Sequence, residues 1–245
     1  NATTIFVHLK HEIKMNLSKY IDHTLLKPTA TESNIIQLCK EAVEYNFYAV
    51  CVNSCYVKLC NDALHASSNK KQNASNASIQ IASVVGFPLG AMDTLSKIKE
   101  AEIAIKNGAT EIDMVINIGF LKDKKYNLVE QEIRQIKQAI GNAILKVIIE
   151  TCYLTDEEKK IATQLTVNAG ADFVKTSTGF GTSGATVEDI ELMKSITQQR
   201  IQIKASGGIR DYETAIKYID LGVTRIGTSN GIQIVTGAKG NEQSY

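Results

Sequence analysis

The chain has 245 residues, 44% of them hydrophobic and 22% charged, with a formal net charge of +1, a size that suits one α/β barrel with a large single core. So even a balance leaves no basic surplus for nucleic acid or for an anionic membrane surface, and it points to a small-molecule partner. The five cysteines (Cys39, Cys51, Cys55, Cys60 and Cys152) form no Cys-x-x-Cys pair and meet no histidine at matching spacing, which argues against a disulfide framework or a metal site and for reduced thiols in a cytoplasmic protein.

Residues 1–16 read as an N-terminal extension: the apolar patch from Ile5 to Val7 is too short for a signal segment or a membrane span, and Met15 is a candidate initiator. From 17 to 236, short β-branched runs alternate with longer amphipathic stretches, the mark of a parallel sheet. Strands are predicted over 20–25, 48–52, 79–86, 111–117, 145–151, 173–178, 201–206 and 225–228. Helical spacing is clear over 33–45, 94–106, 128–140, 156–168, 187–197 and 212–219. Thr155 with Glu158, and Asp211 with Thr214, mark helix starts, while Gly108, Gly170 and Gly222 mark helix ends. Ser67 to Ser78 reads as a solvated polar loop, and residues 237–245 as a tail ending in Tyr245. Eight such units could form an open doubly wound sheet. No Gly-x-Gly-x-x-Gly fingerprint follows the early strands, so a closed (β/α)₈ TIM barrel in a single domain is the favoured fold.

Strands covered by helices on the outside of a barrel should be nearly all apolar, yet several predicted strands carry charges. In the run from Glu111 to Asn117, Ile112, Met114 and Ile116 share one face, leaving Asp113 and Asn117 for the barrel axis. The same parity sends Gln202, Lys204 and Ser206 inward on the seventh strand, places Lys175 with Phe173 and Ser177 on the sixth, and pairs Lys146 with Glu150 on the fifth. Single charges could sit hydrated at strand ends. Several on neighbouring strands are better explained by chemistry at the C-terminal mouth of a barrel.

A free lysine with pKa near ~10.4 is almost wholly charged at neutral pH, so a nucleophilic one must be shifted by about three units, or ~4 kcal/mol. An ammonium roughly 4 Å away at an effective dielectric near 20 supplies about that much, which makes Lys204 a source of activation for Lys175. The iminium formed by Lys175 with an aldehyde would acidify the adjacent carbon without a metal, and Asp113 with Lys204 could carry the protons. Glycines follow the last three strands at Gly179 to Gly184, Gly207-Gly208 and Gly227-Thr-Ser229-Asn230-Gly231, where backbone N–H groups can approach a phosphate.

In order along the chain stand Asp22-His-Thr-Leu-Leu-Lys-Pro, Ala49-Val-Cys-Val-Asn, Val85-Gly-Phe-Pro-Leu-Gly, Glu111-Ile-Asp-Met-Val-Ile-Asn, Phe173-Val-Lys-Thr-Ser-Thr-Gly-Phe and Ile203-Lys-Ala-Ser-Gly-Gly-Ile-Arg. With these motifs, from about Leu17 to the region of Ile234, the sequence resembles the deoxyribose-phosphate aldolase family. The resemblance implies reversible cleavage of 2-deoxy-D-ribose 5-phosphate to acetaldehyde and D-glyceraldehyde 3-phosphate, with no cofactor and commonly as a homodimer. It also implies that Lys175 is the Schiff-base lysine, Lys204 its perturbing neighbour and Asp113 the proton carrier, with Asp22, Cys51 and Lys146 lining the same pocket. Gly179, Gly207, Gly208, Ser229 and Asn230 are the phosphate-binding candidates, although Ser229-Asn230 departs from the small residues the family often has there. A terminal tyrosine resembling Tyr245 reaches the pocket in some members. Other readings are a Schiff-base barrel with a ketone donor, and a phosphosugar-binding barrel without catalysis, which would not need Lys175, Lys204 and Asp113 together.

Overall fold

The computed structural model describes residues 15–68 and 79–238. Eight parallel strands close in chain order into a barrel: β1 (Ile21–Leu25), β2 (Ala49–Val52), β3 (Gln80–Val85), β4 (Glu111–Val115), β5 (Ile144–Ile148), β6 (Phe173–Lys175), β7 (Gln202–Ser206) and β8 (Arg225–Thr228). β8 closes on β1, with Asp22 opposite Gly227. The helices between and after them are α1 (Glu32–Glu44), α2 (Val57–Ser68), α3 (Thr94–Lys106), α4 (Ile118–Lys122), α5 (Tyr126–Ala139), α6 (Asp156–Asn168), α7 (Val187–Thr197), α8 (Tyr212–Asp220) and α9 (Gly231–Thr236).

Strand alternation sorts the side chains. Ile112, Met114, Leu145, Val147, Ile203, Ala205 and Ile226 point outward and join Val129, Ile133, Ile136, Ile190 and Met193 of the helices in the main core. Burial of each such side chain is worth roughly 1.5–3 kcal/mol, which makes this ring the chief support of the fold. The inward set holds a small apolar group (Leu26, Cys51, Ala82 and Val84) and the charges described below.

Local signals act as their chemistry dictates. Thr155 accepts the Glu158 N–H and Glu158 returns the bond, while Asp211 accepts from the Thr214 N–H at 2.7 Å. Gly108, Gly170 and Gly222 take φ of +109°, +79° and +104° at helix ends. Helices α2, α4 and α9 lie beyond the segments that periodicity singles out, and Ser67 and Ser68 belong to α2 rather than to a loop. The remainder of the expected loop, residues 1–14 and the Tyr245 tail lie outside the described residues.

Four strands stop earlier than predicted, β3 by one residue at Val85 and β4 to β6 by more, because the rim residues leave the ladder to turn. β4 ends at Val115, and Asn117 caps α4 by accepting the Phe120 N–H at 3.0 Å instead of facing the axis. β5 ends at Ile148 and the chain turns at Glu150, whose φ is +53°. β6 stops at Lys175. At the opposite end, Gln202 opens β7 exposed, its amide oxygen bonded to Thr224, and it does not enter the lumen.

Candidate active site

The barrel gathers seven charged side chains into one buried network. On β4, one Asp113 oxygen accepts from Lys146 Nζ at 2.8 Å, and the other accepts from both Lys175 Nζ and Lys204 Nζ at 2.8 Å each. The two lysine nitrogens are therefore no further apart than the sum of those bonds. On β1, Asp22 accepts from Lys204 with one oxygen and from Arg225 Nη1 at 2.9 Å with the other, with Lys146 at 3.7 Å. Glu111, two residues before Asp113, accepts from Lys146 and from Arg225 at 3.0 Å. The Arg225 guanidinium lies over the Tyr48 ring, 3.4 Å from its centroid, with the Phe173 ring at 5.4 Å.

All seven residues are buried, none more than 4% exposed. Lys175 ends its strand at the mouth, whereas Asp113, Lys146 and Lys204 lie mid-strand and Glu111 and Arg225 open theirs. The charges thus run through the depth of the barrel instead of gathering at the C-terminal rim. Of the residues named from sequence, Asp22, Cys51, Asp113, Lys146, Lys175 and Lys204 come together here. Glu111 and Arg225 were missed, though parity carries both: Glu111 shares the face of Asp113, and Arg225 precedes by two a glycine, Gly227, that looks onto Lys204 Cε.

Lys175 is held below the ordinary lysine pKa, by burial first; Asp113 works against the shift and Lys204 adds to it. That order corrects the sequence-based estimate, in which the neighbouring ammonium alone supplied the activation. For Lys204, burial opposes the charge, but Asp113 and Asp22 outweigh it and hold the ammonium above the lysine range. Burial also opposes Lys146, which its carboxylate partners, Asp113 foremost, keep charged. Asp113 stays well below the usual carboxylate range: burial is outweighed by Lys146, Lys175 and Lys204. Burial and the Asp113 charge push the Cys51 thiol up, which leaves it protonated at neutral pH.

Above Lys175 stands a rim of glycine and hydroxyl groups. Gly179 and Gly207 adopt φ of +88° and +85°, and Gly184 packs so tightly that a Cβ there would lie 2.2 Å from the Gly207 carbonyl oxygen. Gly208, at φ +77°, faces open space. The hydroxyls of Ser177 and Ser206 are buried with no hydrogen-bond partner among the described residues. Glu150 accepts from the Thr178 N–H at 3.1 Å and from its hydroxyl, and burial raises its carboxyl above the usual range. Phe87 and Phe180 meet edge to face at 5.3 Å. Ser229 and Asn230 instead line a cavity of about 440 Å³ with His23, Lys27, Gln37 and Glu41, and the Asn230 N–H donates to Thr228 Oγ1 at 2.9 Å. Among the described residues no group of three His, Cys, Asp or Glu is placed to hold a metal ion, and no helix is long and apolar enough to cross a membrane.

A closed parallel barrel with a buried amine under a glycine-rich mouth suits carbonyl chemistry through a lysine. The chain belongs to the DeoC/LacD family aldolase group, whose family model matches residues 17–234. It is 54% identical over 223 residues to the deoxyribose-phosphate aldolase of Finegoldia magna, covering 91% of this chain and 100% of that one. It is 53% identical to the deoxyribose-phosphate aldolase of Thermococcus gammatolerans, covering 94% and 100%. Among solved structures, an aldolase designated QR15 superposes with TM-score 0.83 at 43% identity, covering 91% of this chain and 96% of that one. The deoxyribose-phosphate aldolase from Aeropyrum pernix, described as tetrameric, superposes with TM-score 0.79 at 30% identity, covering 90% of each.

Proposed function

We propose that this chain cleaves 2-deoxy-D-ribose 5-phosphate reversibly to acetaldehyde and D-glyceraldehyde 3-phosphate, with Lys175 as the Schiff-base nucleophile. The observation that carries the residue assignment is the single Asp113 oxygen shared by Lys175 and Lys204. It gives the nucleophile an adjacent base and an adjacent acid without a metal.

Neutral Lys175 adds to C1 of the open-chain sugar, and loss of water from the carbinolamine leaves an iminium. The C3 hydroxyl gives up its proton, the C2–C3 bond breaks, and its electron pair flows into the iminium to form an enamine while C3 becomes the aldehyde of the phosphorylated product. Protonation of the enamine at C2 and hydrolysis then release acetaldehyde. Asp113, hydrogen-bonded to both Lys175 and Lys204, carries these protons together with Lys204. In this reading the Ser177 and Ser206 hydroxyls, which have no hydrogen-bond partner among the described residues, bind sugar oxygens, and the loops at Gly179, Gly207 and Gly208 offer backbone N–H groups to the phosphate. Ser229 and Asn230 face the neighbouring cavity with His23 and Lys27, and the Asn230 N–H is already given to Thr228, so they stand apart from this cradle. Asp22, Lys146 and Cys51 shape the floor. Residues 17–236 serve as the catalytic barrel, and a cytoplasmic homodimer is the working form, the disulfide-free cysteines suiting a reducing compartment.

The test is release of acetaldehyde from deoxyribose 5-phosphate in the presence of EDTA. Turnover is expected to persist with chelator and to fall at least ~10³-fold in Lys175→Leu. Loss with EDTA, or better turnover with pyruvate as donor than with acetaldehyde, would overturn the proposal.

A further inference from the structure

We propose that Arg225 and Glu111, at the N-terminal end of the barrel, are positioning residues that set the protonation state of the Schiff-base lysine through the charge balance of the lumen. The inference rests on Lys175 being the nucleophile and concerns what keeps it neutral.

The ion contacts form one connected set. Lys146 touches Glu111, Asp113 and Asp22; Lys204 touches Asp22 and Asp113; Arg225 touches Asp22 and Glu111. Three carboxylates are thereby matched by three cations. Lys175 is the fourth base, and its one carboxylate contact, Asp113 Oδ2, is already engaged by Lys204. A proton on Lys175 leaves the buried set with an unmatched positive charge, which a low-dielectric interior penalises. With Lys175 neutral the set is balanced.

The other titratable groups near Lys175 stand outside these ion contacts. Cys51 from β2 is a buried thiol whose ionisation is suppressed. Glu150, at the exit of β5, makes no ion contact with the set: its carboxyl accepts from the Thr178 N–H and hydroxyl, and burial raises its pKa. β3 presents only Ala82 and Val84 to this space.

Arginine is suited to the post at the base of the network. It stays protonated at every working pH, so it supplies a constant charge where a lysine could titrate. The Tyr48 and Phe173 rings and the bonds to Asp22 and Glu111 fix its plane. Neither residue reaches the substrate from the foot of the barrel; they act through Asp22, Lys146 and Lys204.

The sign of each effect follows. Removing the Arg225 charge makes the lumen net negative, favours the ammonium of Lys175 and moves adduct formation to higher pH. Removing the Glu111 charge does the reverse. The experiment measures acetaldehyde adduct trapped by borohydride, by mass, against pH, in the wild type and in Glu111→Gln, Arg225→Met, Arg225→Lys and the Glu111→Gln/Arg225→Met double variant. The midpoint should rise by roughly one pH unit in Arg225→Met and fall by a similar amount in Glu111→Gln. It should stay near the wild-type value in Arg225→Lys and return toward it in the double variant. A purely structural role would lower trapping in both single variants without opposite shifts, and that result, or unmoved midpoints in folded protein, would overturn the inference. If Arg225→Met does not fold, Glu111→Gln, which keeps size and shape, decides alone. Wild-type label on a peptide other than that of Lys175 would sink the assignment of the nucleophile, a different failure.

Discussion

At the scale of single residues, the chemistry turns on how Asp113 divides its charge. One of its oxygens is shared by the side-chain nitrogens of two lysines and the other is held by Lys146, so Lys175 receives only part of a carboxylate's stabilisation. Burial supplies the larger pressure toward the neutral amine, and Lys204 adds to it while diluting the opposing pull of Asp113. A group whose pKa is lowered this way becomes nucleophilic at lower pH. Lys204→Leu removes one lowering influence and frees Asp113 for Lys175, so the folded pKa of Lys175 must rise and the pH profile of adduct formation must move to higher pH. Because burial remains, the shift should be about one to two units rather than a full return to ~10.4. The profile of trapped adduct against pH checks this, and an unmoved profile would mean that burial alone activates the amine.

At the scale of elements, short strands deliver the site and glycine turns cover it. The Gly179–Gly184 and Gly207–Gly208 loops touch so closely that an alanine at Gly184 would drive its Cβ into the Gly207 peptide, with 2.2 Å to the oxygen and 2.3 Å to the carbon. Gly184→Ala should cost ~1–3 kcal/mol and part the two loops. If they cradle the phosphate, KM for deoxyribose 5-phosphate should rise at least tenfold while turnover of unphosphorylated deoxyribose changes little. Equal losses on both would place their role in supporting the lysines instead. These elements also show what a single sequence reveals. The centres of strands were legible because β-branched runs alternate with amphipathic helices, and capping residues such as Thr155 and Gly170 were legible from local chemistry. The ends of β3 to β6 were not, because whether a residue such as Asn117 faces the lumen or caps a helix depends on how the rim turns. Lys97 was equally hidden: it lies in an amphipathic helix yet is fully buried, donating to Glu132 and to the Val115 carbonyl at 2.9 Å each, contacts that exist only once α3 and α5 pack on β4.

At the scale of the whole molecule, barrel closure turns dispersed residues into one site. Asp22 and Lys204 are 182 positions apart in sequence and Asp22 and Arg225 are 203 apart, yet each pair is in direct contact, because β8 returns to β1. The inward parity of Lys175, Lys204 and Asp113 could be read strand by strand. The inclusion of Glu111 and Arg225 required the closed ring, since their charges stand where a strand begins and look like ordinary hydrated ends until the opposite wall is in place. The most direct measurement of the central claim is borohydride reduction in the presence of acetaldehyde followed by peptide mapping. A two-carbon ethyl adduct on the peptide bearing Lys175, absent from Lys175→Leu, is the predicted result. Label on Lys204 or Lys146, or no acetaldehyde-dependent label in active protein, would contradict it.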